Sequence, residues 1–424
     1  EVPLRLAVGA ATLSIGGQQV LVDTLTVGRD AVGTTTVAIT GGRLQLGGLL
    51  QVNLTDGQLA LTAGGIAGTL SAEISAVAEG FDLGTRVVVQ VNTHPADWGG
   101  LPGGPYVRVV AREATITVAG QVLSATVVLV RTGASAIDVT VSDARLSLGS
   151  ADAGVDLTGG SGRLAYTAEG IAGSLGGTVS VRIPGLSLAG TLRLSLDTAA
   201  GTIGFVGTGL SLNLFGQTLA GDVTVTSTPT ALELSVDRAS FDFGGGLVRL
   251  ADGSAALRLP TGGALSGSIQ GTVSLAAPGV SLAGTFIVEV DGAAVAPLPT
   301  LRIGVPADLG NGTGELSLTV AGVDLVVESL WFHRDAAGTI RLTVTGAALA
   351  LGPADAPYLA ISGGDADLVV TAAGVTGGFG ATATLNLPGL IEDGSFTVAV
   401  AVDTARGSLS VLVTGVSVSI ARAM

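Results

Sequence analysis

Three features of the sequence predict an all-β fold made of tandem units. Apolar and polar side chains alternate with a period of two, turn-forming residues recur at short intervals, and whole phrases return at nearly constant steps. The phrase PGLSLAGTLRLSLDT (Pro184 to Thr198) returns as PGVSLAGTFIVEVDG from Pro278, and more loosely as EGFDLGTRVVVQVNT from Glu79 and PGLIEDGSFTVAV from Pro388. The glycine at the second position of each copy falls at Gly80, Gly185, Gly279 and Gly389, steps of 105, 94 and 110 residues.

Two further elements keep the same order. GGIAGTLSAEIS from Gly64 returns at Glu169, Gly262 and Ala373, and GQQVLVDTLTV from Gly17 returns at Gly120, Gly216 and Ala321. The reading is therefore an end of a preceding repeat over 1–34, then repeats over 35–135, 136–230, 231–339 and 340–424. A loop over 92–106 is inserted in the first of these. The opening LRLAVGAATLSIGG resembles IGFVGTGLSLNLFG from Ile203, as does the closing LSVLVTGVSVSIARAM. Together with the absence of an initiator Met, this suggests a window of a longer array or a processed subunit.

Each run justifies a strand with one buried face. In TLRLSLDT, Leu192, Leu194 and Leu196 oppose Arg193 and Ser195; in ALELSVDRASFDFG, Leu232, Leu234 and Val236 oppose Glu233, Ser235 and Asp237. Asp-Gly and Ala-Gly turns at LTDGQ, DTAAG, LADGS, RDAAG and DTARG are too short for a helical crossover, so neighbours should run antiparallel. Six to eight strands per repeat follow. The buried faces can close as a sandwich or flattened barrel per unit, as a continuous curled sheet, or as a solenoid, the last disfavoured by the lack of a constant short rung.

Composition narrows the class. The chain is 424 residues long, 47% hydrophobic and 12% charged, too apolar for disorder. Aromatics make up 3%, so Val, Leu, Ile and Ala must line the interior. Ser, Thr or Gly interrupts every hydrophobic run, so no transmembrane helix is expected, and aromatic girdles for a membrane barrel are lacking. There is no Cys and no Lys; all 19 basic residues are Arg. A net charge of −14 argues against nucleic acid and anionic membranes as partners.

Candidate chemistry is sparse. His94 and His333 sit in no hydrolase signature, and Glu392 with Asp393 are adjacent, so they point apart. Acidic residues recur near Asp56, Asp252 and the pair Asp365 and Asp367; GGDAD makes Asp365 and Asp367 the candidate calcium ligands, although the motif falls short of a calcium loop. Trp98 and Tyr106 in HPADWGGLPGGPY are the candidate ligand-binding residues, for a surface glycan. Asn53 and Asn311 begin glycosylation sequons.

The blocks EGIAGSLGGTVSVRIPGLSLAGTLRLSLDT and GQTLAGDVTVT resemble the Gly/Ala/Val-rich tandem β-repeats of giant exported bacterial surface proteins of adhesin-like type. The resemblance spans essentially the whole chain. It implies an extracellular or cell-surface structural protein and supplies no catalytic residue. The expectation is a non-enzymatic stalk, fibre, filament or sheath subunit that self-associates through strand edges. The rivals are an apolar groove for lipid and a carbohydrate-binding module.

Overall fold

The computed structural model describes residues 5–15, 17–29, 34–46, 49–75, 81–82, 86–118, 120–133, 136–150, 152–228, 230–282, 284–294, 300–305, 316–335, 337–353, 355–387 and 391–413. Gly80, Gly389 and the sequon at Asn311 lie outside them. Among the described residues the chain is strand throughout, with one 3-10 turn at Thr404–Arg406 and no α-helix.

The hairpin β1 (Arg5–Ile15) and β2 (Gln18–Arg29) comes first. Then follow β3 (Thr35–Leu46), β4 (Leu50–Thr62), β5 (Gly65–Ser75), the two pieces β6 (Phe81–Asp82) and β7 (Val87–Asn92), β8 (Tyr106–Val118) and β9 (Gln121–Arg131). The succession returns as β10 (Ile137–Gly149), β11 (Gly154–Tyr166), β12 (Ile171–Arg182), the pieces β13 (Leu186–Ala189) and β14 (Arg193–Asp197), β15 (Thr202–Leu214) and β16 (Gln217–Ser227). It returns again as β17 (Ala231–Phe243), β18 (Val248–Pro260), β19 (Ser266–Leu275), β20 (Val280–Leu282) with β21 (Thr285–Asp291), β22 (Leu301–Val305) with β23 (Leu316–Val320), and β24 (Val323–Val327) with β25 (Ser329–Arg334). The chain then runs through β26 (Ile340–Leu351), β27 (Leu359–Thr371), β28 (Gly374–Leu387), β29 (Ile391–Asp403) and β30 (Ser408–Val413).

Every described ladder is antiparallel, and the pairing is copied along with the sequence. At the fourth position of the first three repeats the strand is split: β5 pairs β7 while β6 reaches β8, β12 pairs β14 while β13 reaches β15, and β19 pairs β21 while β20 reaches β23; in the last repeat β29 runs unbroken along β28. The break falls at the Ala-Gly-Thr of the recurring phrase. Gly190 has φ +130°, and a side chain there would meet Leu210. Two compact units divide the chain, 1–182 with 191–207 and 225–232, and 183–190 with 208–224 and 233–424. The division runs through β15, β16 and β17 and so does not follow the repeat boundaries.

Alternation is not strict along whole strands, and the Asp-Gly pairs of LTDGQ and LADGS are not hairpin turns. Asp56 lies inside β4 and Asp252 inside β18, each where the ladder slips by a residue. A bulge inserts one extra residue, which would send all later side chains to the other face unless the pattern also changes parity. It does. In β10 the buried set is Val139 and Val141 before the bulge at Asp143 (φ 54°), then Ala144, Leu146 and Leu148 after it. In β17 it is Leu234 and Val236 before Arg238 (φ 50°), then Ala239, Phe241 and Phe243. One apolar face therefore continues through strands of up to thirteen residues.

Within each unit these faces are covered. In the first, Tyr166, buried between its strand partners Ile137 and Ile171, donates its hydroxyl to the Leu49 carbonyl 117 positions earlier. Arg131 donates to Gln18 Oε1 across 113 positions. In the second, Gly244 packs on Ile340 and Gly279 on Thr404. Segments about one repeat apart thus meet. The few aromatics are central to this interior: Phe205, Phe241, Phe243, Phe286 and Phe332 are fully buried among Leu, Val and Ile.

A polar lock closes the loop after the fourth strand. Thr93, Thr198 and Thr404 Oγ1 each accept, at 2.8 Å, an N–H from the first two residues of the third strand, that of Ile66, Ile171 and Val375. The hydroxyl occupies the space where a Cβ on Gly65, Gly170 or Gly374 would project, at 2.3, 2.3 and 2.5 Å. In the remaining repeat both partners change together: Ala264 replaces the glycine and Gly292 the threonine, while the backbone bond from Gly292 N–H to the Leu265 carbonyl is kept at 2.8 Å. The residue before each lock position, Asn92, Asp197, Asp291 or Asp403, accepts a nearby N–H with its side-chain oxygen and fixes the turn.

Candidate functional site

The inserted loop is organised by Asn92, which ends β7 and is fully buried. Its Nδ2 donates to the carbonyls of Pro102 (2.7 Å) and Ala96 (3.4 Å), and its Oδ1 accepts the His94 N–H. Asp97 accepts the Gly103 N–H, and Trp98 and Leu101 exchange two backbone bonds of 2.9 Å. His94 Nε2 bonds to Thr62 Oγ1 at 2.8 Å, and its ring stacks on Trp98 with centroids 6.0 Å apart. Tyr106 is instead the first residue of β8. The Arg108 guanidinium lies 4.6 Å over its ring, and Arg108 donates to Gln90. The Tyr106 hydroxyl is buried without a partner. Trp98 and Tyr106 therefore serve different neighbours, and the Tyr106 ring face under Arg108 is already taken.

Asp365 and Asp367 fall on the same face of β27, two residues apart. Asp365 Oδ1 accepts the N–H of Gly346, the left-handed residue of the neighbouring bulge (φ 64°), at 3.1 Å. Asp367 pairs with Arg341 at 2.9 Å, and Arg341 also reaches Asp335 at 3.1 Å. Among the described residues no three His, Asp or Glu side chains gather in a way that could hold a metal ion. The Asp335 carboxyl is held below the usual aspartate range by the Thr339 N–H, aided by Arg341 and the Ala337 N–H. Asp156 is lowered chiefly by its hydrogen bond with Arg182, which donates from Nε at 2.6 Å. These charges stitch neighbouring strands on the outward face.

That face also carries an open groove of about 610 Å³ in the first unit, across β4, β5, β7 and β8, lined by Thr55, Ser71, Glu73, Arg86, Val88 and Arg112. It is open to solvent, and Ala72, Val87 and Val110 line it beside the polar groups. Among the described residues no helix is long and apolar enough to cross a membrane.

Among the described residues several large apolar side chains are exposed, Leu412 on β30 at 62% and Leu21 on β2 at 56% among them. On β1, Leu6 is 58% and Val8 39% exposed. By repeat position Leu6 corresponds to Val109 in β8 and Phe205 in β15, both 0% exposed, and Val8 corresponds to the fully buried Ala111. Near its turn the β1–β2 hairpin pairs as β8–β9 does, Leu13 facing Val20 as Ile116 faces Leu123, but further out the registers part by one residue: β8–β9 slips between Ala111 and Ala114, whereas Val8 faces Leu25 without a slip. Val20 and Val22 of β2 are buried. Sequence reasoning placed no site there, because Leu6 and Val8 sit in the same alternation as buried residues. No protein-family model, curated protein or solved structure matches the chain.

Proposed function

We propose that the chain is a non-enzymatic structural array, a segment of a rigid stalk, fibre, filament or sheath of adhesin-like type at the cell surface. One observation carries this reading: the strand order returns with the same antiparallel pairing from repeat to repeat, its fourth strand split in the first three repeats and its threonine lock present in the first, second and last. Such copying makes stability and length increase together, because each unit contacts its neighbours through ladders and small apolar side chains. The outward polar groups support the same reading, since His94 bonds to Thr62 and Asp156, Asp335 and Asp367 pair with arginines inside the scaffold. Self-association runs through strand edges, whose unpaired backbone groups are templates for a further strand.

Electron microscopy of purified chain tests the proposal. Rods or filaments of uniform width are the expected image. Monodisperse round particles under all conditions of salt and concentration would argue for a discrete binding domain instead.

A further inference from the structure

We infer that the groove across β4, β5, β7 and β8 binds an acidic saccharide, a sugar carboxylate of the uronic-acid class, through Arg86 and Arg112. The inference goes beyond the array reading and does not rest on it. The groove's volume of about 610 Å³ is that of a small-molecule site. Its lining differs from the same place in the other repeats. Glu73 and Arg86 extend the register in which Ala72 faces Val87, and Arg86 and Arg112 extend the one in which Val88 faces Val110. The pair corresponding to Glu73 and Arg86 is Thr272 facing Thr285 in the third repeat and Thr382 facing Thr397 in the last. The second repeat has Thr178 and Thr191 there, and Thr208 in place of Arg112. Charge has replaced neutral threonines in the first repeat alone.

A cross-strand ion pair does not account for the exchange. Among the described residues neither Arg86 nor Arg112 makes a salt bridge or a side-chain hydrogen bond, and both are exposed. Like charges at facing positions of adjacent strands repel. A bound carboxylate removes that repulsion, since each guanidinium presents a planar fork of donors that matches it. Two arginines against one glutamate make the charged lining positive on a chain of net charge −14. Glu73 narrows the class further. It opposes a compact anion such as sulfate, and it accepts hydrogen bonds from hydroxyl groups. Thr55, at the bulge of β4, and Ser71 add hydroxyl partners, and Val88, 39% exposed, offers an apolar patch to the C–H face of a sugar ring. One carboxylate, several hydroxyls and an apolar ring face meet all of these groups.

The test is calorimetry of the whole chain with the trisaccharide of galacturonic acid, the neutral trisaccharide of galactose, and sodium sulfate. Saturable one-to-one binding of the uronate, weakened by salt, is expected. Arg86→Thr with Arg112→Thr introduces the residues that the second repeat accommodates as Thr191 and Thr208, and should weaken binding at least about tenfold. Arg193→Thr, at an exposed position of the same unit, should leave binding unchanged. Glu73→Gln gives an independent reading: the preference for uronate over sulfate should fall at least about threefold. Four results overturn the inference: no uronate binding, equal binding of the neutral trisaccharide, displacement of the uronate by sulfate at equal concentration, or undiminished binding by the folded double variant. An unchanged preference in Glu73→Gln does so as well. A chain dimer in sedimentation that the double variant abolishes would assign the arginines to a second copy and likewise overturn it.

Discussion

Replacing Gly170 by Ala places a methyl where Thr198 keeps its hydroxyl, and the structure gives the size of the effect. The new Cβ would lie 2.3 Å from Thr198 Oγ1, at a backbone φ of +139° that side-chain-bearing residues rarely adopt. Strain in that region costs about 1–3 kcal/mol. Displacing the threonine also removes the 2.8 Å bond to the Ile171 N–H, worth about 1 kcal/mol. Gly170→Ala should therefore destabilise by about 2–4 kcal/mol. Thr198→Gly alone loses the hydrogen bond and adds chain freedom, together about 1.5–2 kcal/mol. The third repeat has already made both changes, as Ala264 and Gly292, and Ala264 is not among the residues with positive φ. The double variant should consequently be more stable than the sum of its parts by about 1–2 kcal/mol. Urea unfolding followed by far-ultraviolet circular dichroism reads all three. A Gly170→Ala protein within about 0.5 kcal/mol of the parent, or strict additivity in the double variant, would refute the steric account of the lock.

Deleting Asp143 should turn Ala144, Leu146 and Leu148 to solvent and yield insoluble protein, whereas Asp143→Gly, at φ 54°, should be neutral or stabilising by up to about 1 kcal/mol in thermal unfolding; a soluble deletion would show that the bulge does not set the face. Asp156, whose folded pKa is lowered, contributes stability above the unfolded aspartate pKa of about 3.9 that is lost as pH falls through the folded value. Asp156→Asn should therefore cost about 0.5–1 kcal/mol at pH 7 and flatten the loss of melting temperature below about pH 4; unchanged acid sensitivity contradicts this. Because Asp365 is held by Gly346 and Asp367 by Arg341, calcium at about 5 mM should shift the melting midpoint by less than about 1 °C, and a saturable rise removed by Asp367→Ala would assign an ion to the pair.

The strand class and the recurrence could be read from the sequence because one-sided burial writes itself as period two and because the repeated phrases keep their order. The bulges could not. Asp56-Gly57 and Asp252-Gly253 carry the chemistry of a hairpin turn, and only the count of partners on the next strand shows that the chain continues straight through them. At Glu113, Asp143 and Arg238 the left-handed residue has no glycine to announce it. The lock was not read from the sequence: the joint change at Ala264 and Gly292 acquires meaning only when Thr198 Oγ1 is found in the space beside Gly170. At the loop, the aromatic cluster was evident, yet the placement of Tyr106 under Arg108 depends on β-register across β7 and β8. Leu6 sits in the same alternation as the buried leucines, and only the structure shows it exposed.

The central claim, that copies of one six-position unit add in series, is tested most directly by varying their number. Chains with one, two and three extra copies of residues 137–230 inserted after Thr230, measured by small-angle X-ray scattering, should gain a constant increment in maximum dimension per copy at unchanged cross-section. A maximum dimension that rises only with the cube root of mass would contradict it.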